Sequence, residues 1–376
     1  NYLLGKFARQ VLRTNHIDCV SNLYYTSVVD GLMDSLGVPA MTNSLEDIAN
    51  KACSLLVIGS NLTEQHPVFG TQIRQAILRR KVKMVVASPD FYNIDEYAAL
   101  ALYHHPKTEA ILVNGLIHII IEKGWQDRDS IQKYPAGYKQ FLESIAAYTP
   151  PLVSEITGVS QDQLYQAAEI LAHHKPTAIL WSIGLAHHES GKQAVQALSN
   201  LQMLLGNLEK PGGGVNPLCS QNNTQGANDM GCNPSCLPGY QSLNDPSAIE
   251  KFEMAWGMHL NNQPGLSTAQ LLLHPTHSPV RALYIVGEEL INTSAQAQTV
   301  RQSLSGLDFL VLQEMAVSET SRYADVLLPG VSFAEKSGTF TSTDRRIQLV
   351  RQAIQPQGQA RPDWVIIADL AKRFQA

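Results

Sequence analysis

The stretch Ser54–Ser88, SLLVIGSNLTEQHPVFGTQIRQAILRRKVKMVVAS, decides the fold class. Ser54–Gly59 is a continuous apolar run, as expected of a strand covered on both faces. A polar loop, Ser60–Pro67, follows. The spacing then predicts a helix over about Val68–Arg80 and a second apolar strand over Lys83–Ser88. Strand, helix and strand in that order imply a βαβ unit and a parallel sheet. Outward from it, Ala178–Ser182 (AILWS) reads as a third strand. Helices are predicted over Asn1–Thr14, Ser27–Leu36, Thr108–Lys123, Tyr138–Tyr148, Ser160–His173 and Gly191–Leu205, with Cys19–Tyr25 a short extended or loop segment. Ligands of parallel sheets sit beyond the carboxyl ends of the strands. Here those ends are Gly59–Pro67, Ser88–Asp90 and Ser182–His188.

The pattern restarts further on. Arg281–Gly287, Phe309–Glu314 and Asp325–Pro329 read as strands, Ser294–Leu304 and Asp363–Phe374 as helices. Asn261–Pro264 and His274–Pro279 read as surface loops. Between the two patterns lies Gly212–Tyr240, GGGVNPLCSQNNTQGANDMGCNPSCLPGY. It is rich in Gly, Asn, Pro and Gln and nearly empty of apolar periodicity. A loop of that length is functional or a surface linker. Its glycines permit close backbone approach to a ligand, and Gln221, Asn222, Asn223 and Gln225 suit the edge of a flat polar ligand such as a pterin or guanine.

At 376 residues, 44% hydrophobic and 16% charged, the chain is an ordinary globular polypeptide with room for two or three domains. Its net charge of −5 argues against nucleic acid, and no apolar run is long enough to span a bilayer. Five cysteines are too sparse and odd a set for a disulfide scaffold and fit a reducing, cytoplasmic setting. The first residue is Asn1, which leads us to expect a fragment.

The chain resembles the middle of molybdopterin oxidoreductases, specifically formate dehydrogenase catalytic subunits. NYLLGKFAR, LLGNLEKPGGGVNP, QNNTQGANDMG, ADVLLP, SGTFTSTDRR and GQARPDWVIIADLAKR carry the resemblance, in order, over nearly the whole chain. A similar domain occurs in the large iron–sulfur subunit of respiratory complex I, an NADH dehydrogenase. The resemblance implies an α/β fold of two doubly wound αβα domains, residues 21–220 and residues 1–20 plus 221–376. It implies that they clamp a bis-molybdopterin guanine dinucleotide carrying molybdenum or tungsten, with loss of that group, as in relatives that serve as scaffold, the alternative. The family's iron–sulfur and cofactor-covering domains have no counterpart, so no iron–sulfur cluster is expected in this chain. Iron–sulfur domains or subunits of an electron-transfer complex are the expected partners, with at most peripheral attachment to a membrane.

The positions implied for cofactor contact are Asn61, Glu64, Pro89, Thr108, Glu109, Gly184, His187, Gln221, Asn222, Asn223 and Asp229. Several depart from the family: Asp90 stands where an arginine would meet phosphate, and GEEL (Gly287–Leu290) where Gly-Glu-x-Pro is usual. The catalytic positions depart further. Tyr24 and Tyr25 stand where the family has selenocysteine or cysteine followed by histidine, and Cys219 where it has an arginine for formate. Tyr24 is then a candidate metal ligand through a phenolate of reference pKa ~10, a harder donor than a thiolate. The alternative is that Tyr24 and Tyr25 are packing aromatics filling the metal position. Cys219 reads as a small buried hydrophobe, and Cys232 with Cys236 lacks a second ligand pair for zinc. Together these departures imply an oxidoreductase-family domain that has lost formate chemistry and sits within a larger electron-transfer protein. The other reading is an active molybdenum or tungsten enzyme with another substrate.

Overall fold

The computed structural model describes residues 1–133, 137–273 and 279–374, except for the side chains of Leu23 and Tyr24. The predicted loop His274–Pro279 therefore lies almost wholly outside the described residues. The chain forms two compact units: Tyr24–Asn222 with Thr343–Arg346, and Asn1–Leu23 with Asn223–Ser342 and Ile347–Ala376.

The first of these holds a five-stranded, wholly parallel sheet. Its strands are β1 (Ser54–Ile58), β2 (Lys83–Ser88), β3 (Leu100–Tyr103), β4 (Thr177–Trp181) and β5 (Val215–Pro217), in the order β3-β2-β1-β4-β5. Every residue of β1 and β4 is buried, because helices cover both faces. On one face Leu55, Val57, Met84, Val86, Ala178 and Leu180 pack with Ile48, Phe69, Ile73 and Ala76. These come from the helices Leu45–Lys51 and Pro67–Arg80. Alternate residues Leu56, Ile58, Val85, Ile179 and Trp181 point the other way and are equally buried. The helices Gln161–His173 and Gly191–Leu205 lie against the sheet there. Ser160 caps the first of them, its Oγ accepting from Gln163 N at 3.3 Å.

The reading of Cys19–Tyr25 as an extended or loop segment is corrected over Asn22–Tyr25. A helix spans Asn22–Leu36, and Tyr25, Val28, Val29 and Leu32 form its buried stripe. Their 3–4 spacing is helical, and it outweighs the β-preference of the tyrosine pair.

The other unit carries β6 (Cys236–Leu237) and β7 (Gln241–Ser242), a short antiparallel pair, and a three-stranded parallel sheet. The sheet comprises β8 (Ala282–Val286), β9 (Phe309–Glu314) and β10 (Val326–Pro329), ordered β10-β9-β8. Ile285, Leu310 and Leu312 pack with Val300 and Leu304 of the helix Ala297–Ser305. An antiparallel hairpin, β11 (Gly338–Thr341) and β12 (Ile347–Val350), completes the strands. Arg9, only 4% exposed, binds its own unit by four hydrogen bonds. Nε donates to Asn15 Oδ1 at 3.2 Å, Nη1 to Gly231 O at 3.0 Å, and Nη2 to Asn233 O and Cys236 O at 2.8 Å each. This clamp is part of what orders the stretch read as one long loop, which contains β5, the helix Thr224–Asp229 and β6. No described helix is long and apolar enough to cross a membrane.

Candidate active site

The order β3-β2-β1-β4-β5 reverses direction between β1 and β4, so a crevice opens at the carboxyl ends of those two strands. It is built from main chain. Gly59, at φ 58°, turns the chain out of β1, and its N–H donates to Ala87 O at 3.1 Å. A Cβ on Gly59 would meet Leu185 N at 2.6 Å, and one on Gly184 would meet Gly59 O at 2.6 Å. Only hydrogen side chains permit that approach. Just beyond, Ser60 Oγ donates to Ser182 Oγ at 3.0 Å, and Ser182 Oγ to Leu218 O at 3.2 Å, tying the ends of β1, β4 and β5 together.

The loops around the crevice hold most of the positions named from sequence. Asn61 opens the short helix Leu62–Gln65, and its Oδ1 accepts from Thr63 Oγ1 at 3.3 Å; Glu64 is exposed. In the same loop, burial lowers the His66 pKa, and both His66 Nε2 and Gln65 Oε1 are buried without a hydrogen-bond partner. Pro89 and Asp90 form an exposed turn after β2, held by Ser88 Oγ, which accepts from Asp90 N at 3.0 Å. After β3, Thr108 Oγ1 donates to His105 O at 2.6 Å, and Glu109 is buried in the first turn of the helix Glu109–Glu122. A carboxylate there complements the positive end of the helix. His104 is also buried, with no partner at Nε2. Gly184 and His187 follow β4 and are exposed; Gln221 and Asn222 lie exposed beyond β5.

Asn223 and Asp229 belong to the other unit and are engaged there. Asn223 sits at φ 61°, and its Oδ1 accepts from Thr341 N at 2.9 Å, which ties it to β11. Asp229 accepts from Gln225 Nε2 at 2.9 Å and from the Tyr240 hydroxyl, while burial raises its pKa. Gln225 Oε1 is buried without a partner.

The structure brings two of the three positions read as catalytic into contact. Tyr25 is buried, and the Cys219 thiol hydrogen-bonds both to it and to the Thr343 hydroxyl. Burial raises the thiol pKa, and these two bonds pull it partly back. Thr343 Oγ1 also accepts from Cys219 N at 3.0 Å and donates to Pro217 O at 2.8 Å. Cys219 is thus a hydrogen-bonded member of a polar trio rather than a simple apolar filler. The Tyr24 side chain lies outside the described residues. Thr343 was not singled out in the sequence as a site residue, although it stands in the quoted SGTFTSTDRR. Its partner is 124 residues away, beyond the reach of any local pattern. Among the described residues, no group of three or more His, Cys, Asp or Glu could hold a metal ion, the neighbourhood of Cys232 and Cys236 included.

The GEEL turn after β8 holds a titrating group. Burial pushes the Glu288 carboxyl up to about 7; Glu314 and Glu289 add to the rise, and a bond from Thr293 opposes it. Between pH 4.5 and about 7 the folded chain holds a proton that the unfolded chain has released. The stability this supplies is full below 4.5 and is lost as pH rises through 7. Glu288→Gln is expected to flatten that fall, read as the urea midpoint across the same range. An unaltered slope would show that Glu288 does not titrate in this way.

The family model described as "Molybdopterin oxidoreductase" matches residues 1–373. The chain is 39% identical over 374 residues to the "F420-dependent formate dehydrogenase subunit alpha" of Methanocaldococcus jannaschii, covering 100% of this chain and 55% of that protein. It is 36% identical over 375 residues to "Formate dehydrogenase H" of Escherichia coli, covering 100% of this chain and 52% of the relative. The chain therefore spans about half the length of these relatives. A solved structure, "Acetylene Hydratase from Pelobacter acetylenicus", matches with a TM-score of 0.73 at 20% identity, over 93% of this chain and 50% of that one. That likeness bears on the fold, a mixed α/β architecture with parallel sheets. With the family match running almost end to end, this chain belongs to the molybdopterin oxidoreductase family.

Proposed function

We propose that this chain is the nucleotide-cradling part of a formate dehydrogenase-like protein whose reacting position no longer oxidises formate, working within a larger electron-transfer protein or complex. The observation that carries this reading is the Cys219 thiol set between the Tyr25 and Thr343 hydroxyls. The resemblance to formate dehydrogenases places an arginine and a histidine at 219 and 25. A thiol held above its ordinary pKa is uncharged at neutral pH. A formate ion meeting it forgoes a charge-assisted pair worth about 1.5–3 kcal/mol, or roughly 10- to 100-fold in affinity.

The residues present suit a molybdenum- or tungsten-bearing bis-pterin guanine dinucleotide. The turns at Gly59 and Gly184 pack main chain on main chain at the switch point where such sheets take nucleotides, and Gln65 Oε1 and His66 Nε2 are buried without a partner in the loop beside it. Asn61, Glu64, Pro89, Thr108, Glu109, Gly184, His187, Gln221 and Asn222 would hold the group. Asn223 and Asp229, engaged within their own unit, would act by fixing the Gln-Asn-Asn turn and the helix after it. When bound, the group supplies electron exchange between a substrate and iron–sulfur centres. The proposed partners are iron–sulfur domains or subunits, and the proposed setting is cytoplasmic, at most peripheral to a membrane complex. The same neutral trio favours a second reading, an active enzyme for an uncharged substrate.

The full-length protein tests this. Metal analysis and oxidised-pterin fluorescence are expected to show a stoichiometric cofactor, with no dye reduction by formate. Formate turnover by the wild type would defeat the proposal. Cys219→Arg is expected to tighten formate binding about 10- to 100-fold, measured as a formate-dependent thermal shift. No change in affinity would mean that position 219 does not face substrate.

A further inference from the structure

We infer that the amino-terminal edge of the β1–β5 sheet, on the side away from the crevice, docks the acidic surface of a partner protein. The turns that enter β1, β2, β4 and β5 bring seven cations to that edge: Lys51, Arg79, Arg80, Lys81, Lys83, Lys175 and Lys210. The sheet makes them neighbours. Lys83 N donates to Cys53 O at 3.0 Å, and Cys53 N to Pro176 O at 2.9 Å. Arg80 reaches across to the end of the helix Leu45–Lys51, donating to Ala49 O at 2.6 Å and Ala52 O at 3.2 Å. The backbone of Lys51 and Ala52 lies against Gly212, two residues past Lys210.

The carboxylates near this edge are already engaged. Asp47 pairs with Lys51 at 3.0 Å and accepts from Asn43 and Gly212; Asp127 is 4.0 Å from Lys175; Glu209 pairs with Lys133. Arg79, Arg80, Lys81, Lys83 and Lys210 have no ion-pair partner among the described residues. All five are exposed. Lys81 is held out by a left-handed turn at φ 61°, which ends the preceding helix.

Five unpaired cations on one rim of a chain whose net charge is −5 make a local field opposed to the global one. At the opposite rim the exposed charges include Glu64 and Asp90, so an acidic partner is steered to one end of the sheet. Leu78, 59% exposed beside Arg79, offers an apolar centre, and arginine forks match carboxylates. That mixture suits a protein face. A nucleic acid would need a track of phosphate contacts, and this rim ends within one sheet width.

The test uses the full-length protein as isolated with its co-purifying subunits. Zero-length carbodiimide cross-linking is expected to join Lys81, Lys83 or Lys210 to Asp or Glu side chains of a second polypeptide. Raising salt from about 50 mM to about 500 mM should abolish those links. Arg79→Glu with Lys81→Glu and Lys83→Glu should cut recovery of that polypeptide at least about 10-fold while pterin content stays the same. The milder pair Arg79→Gln with Lys83→Gln should give an intermediate loss, which separates docking from misfolding. Cross-links confined to other surfaces, full recovery with the triple reversal, or no co-purifying polypeptide would overturn the inference. So would stronger retention of a single-stranded oligonucleotide or anionic vesicles than of any polypeptide at this rim.

Discussion

Arg9→Met is expected to lower the unfolding free energy of the unit that contains it by about 3–5 kcal/mol, against a typical total of 5–15. Methionine replaces most of the side-chain volume but none of the donors. Asn15 Oδ1 and the carbonyls of Gly231, Asn233 and Cys236 would each lose a partner in a buried setting. Each loss costs about 1–3 kcal/mol in isolation, and backbone relaxation and entering water recover part of the sum. Two measurements check this. The first thermal transition should fall, and amide exchange over residues 231–237 should accelerate more than exchange over β8 and β9. Arg9→Lys, which keeps one cationic donor group, should lie between. A loss below about 1 kcal/mol would mean the clamp is cosmetic and the stretch is held by its turns alone.

Gly184→Val is expected to empty the crevice of its nucleotide while leaving the sheet folded. The new Cβ would sit 2.6 Å from Gly59 O. Gly59 cannot retreat easily, because its N–H is bound to Ala87 O and its neighbour Ser60 to Ser182. Overpacking of this kind costs about 1–3 kcal/mol, within what the unit can bear, but it displaces the two turns that shape the opening. Pterin fluorescence and metal content of the purified full-length variant should both fall far below wild type. Gly37→Ala is the control. Gly37 has φ 71° and nothing near its would-be Cβ, so the change costs about 1–2 kcal/mol of backbone strain and should leave cofactor content alone. Wild-type pterin content in Gly184→Val would place the nucleotide elsewhere.

The parallel sheet was legible where burial was complete. β1, β2 and β4 carry continuous apolar runs, Leu55–Ile58, Met84–Ala87 and Ala178–Trp181, because both faces are covered, and such runs are easy to read. β3, only Leu100–Tyr103, is a partly exposed edge strand inside an apolar run rich in Ala and Leu, residues that favour helix over strand, and it was missed. The helices Leu45–Lys51, Pro150–Thr157 and Pro246–Trp256 were missed too, though Ser44, the prolines and Asp245 mark their starts. The first two, of seven and eight residues, are too short for a clear apolar period. The β11–β12 hairpin is mostly exposed and polar, so its pairing is invisible to pattern. For the site, a strand's carboxyl end can be read from where its apolar run stops, whereas the reversal of strand order that singles out β1 and β4 arises only in the folded sheet. The contact of Tyr25 with Cys219, and of both with the distant Thr343, arises only from tertiary folding.

The crevice owes its shape to two residues that carry no side chain. A surface of main chain is indifferent to the side chains on the turns around it, so drift at Asp90 leaves the mould intact. An experimenter inherits the same freedom. Positions 25, 219 and 343 form a compact, uncharged patch whose chemistry can be randomised together in a combinatorial library, with the main-chain mould untouched and each clone's retained pterin serving as its internal folding standard.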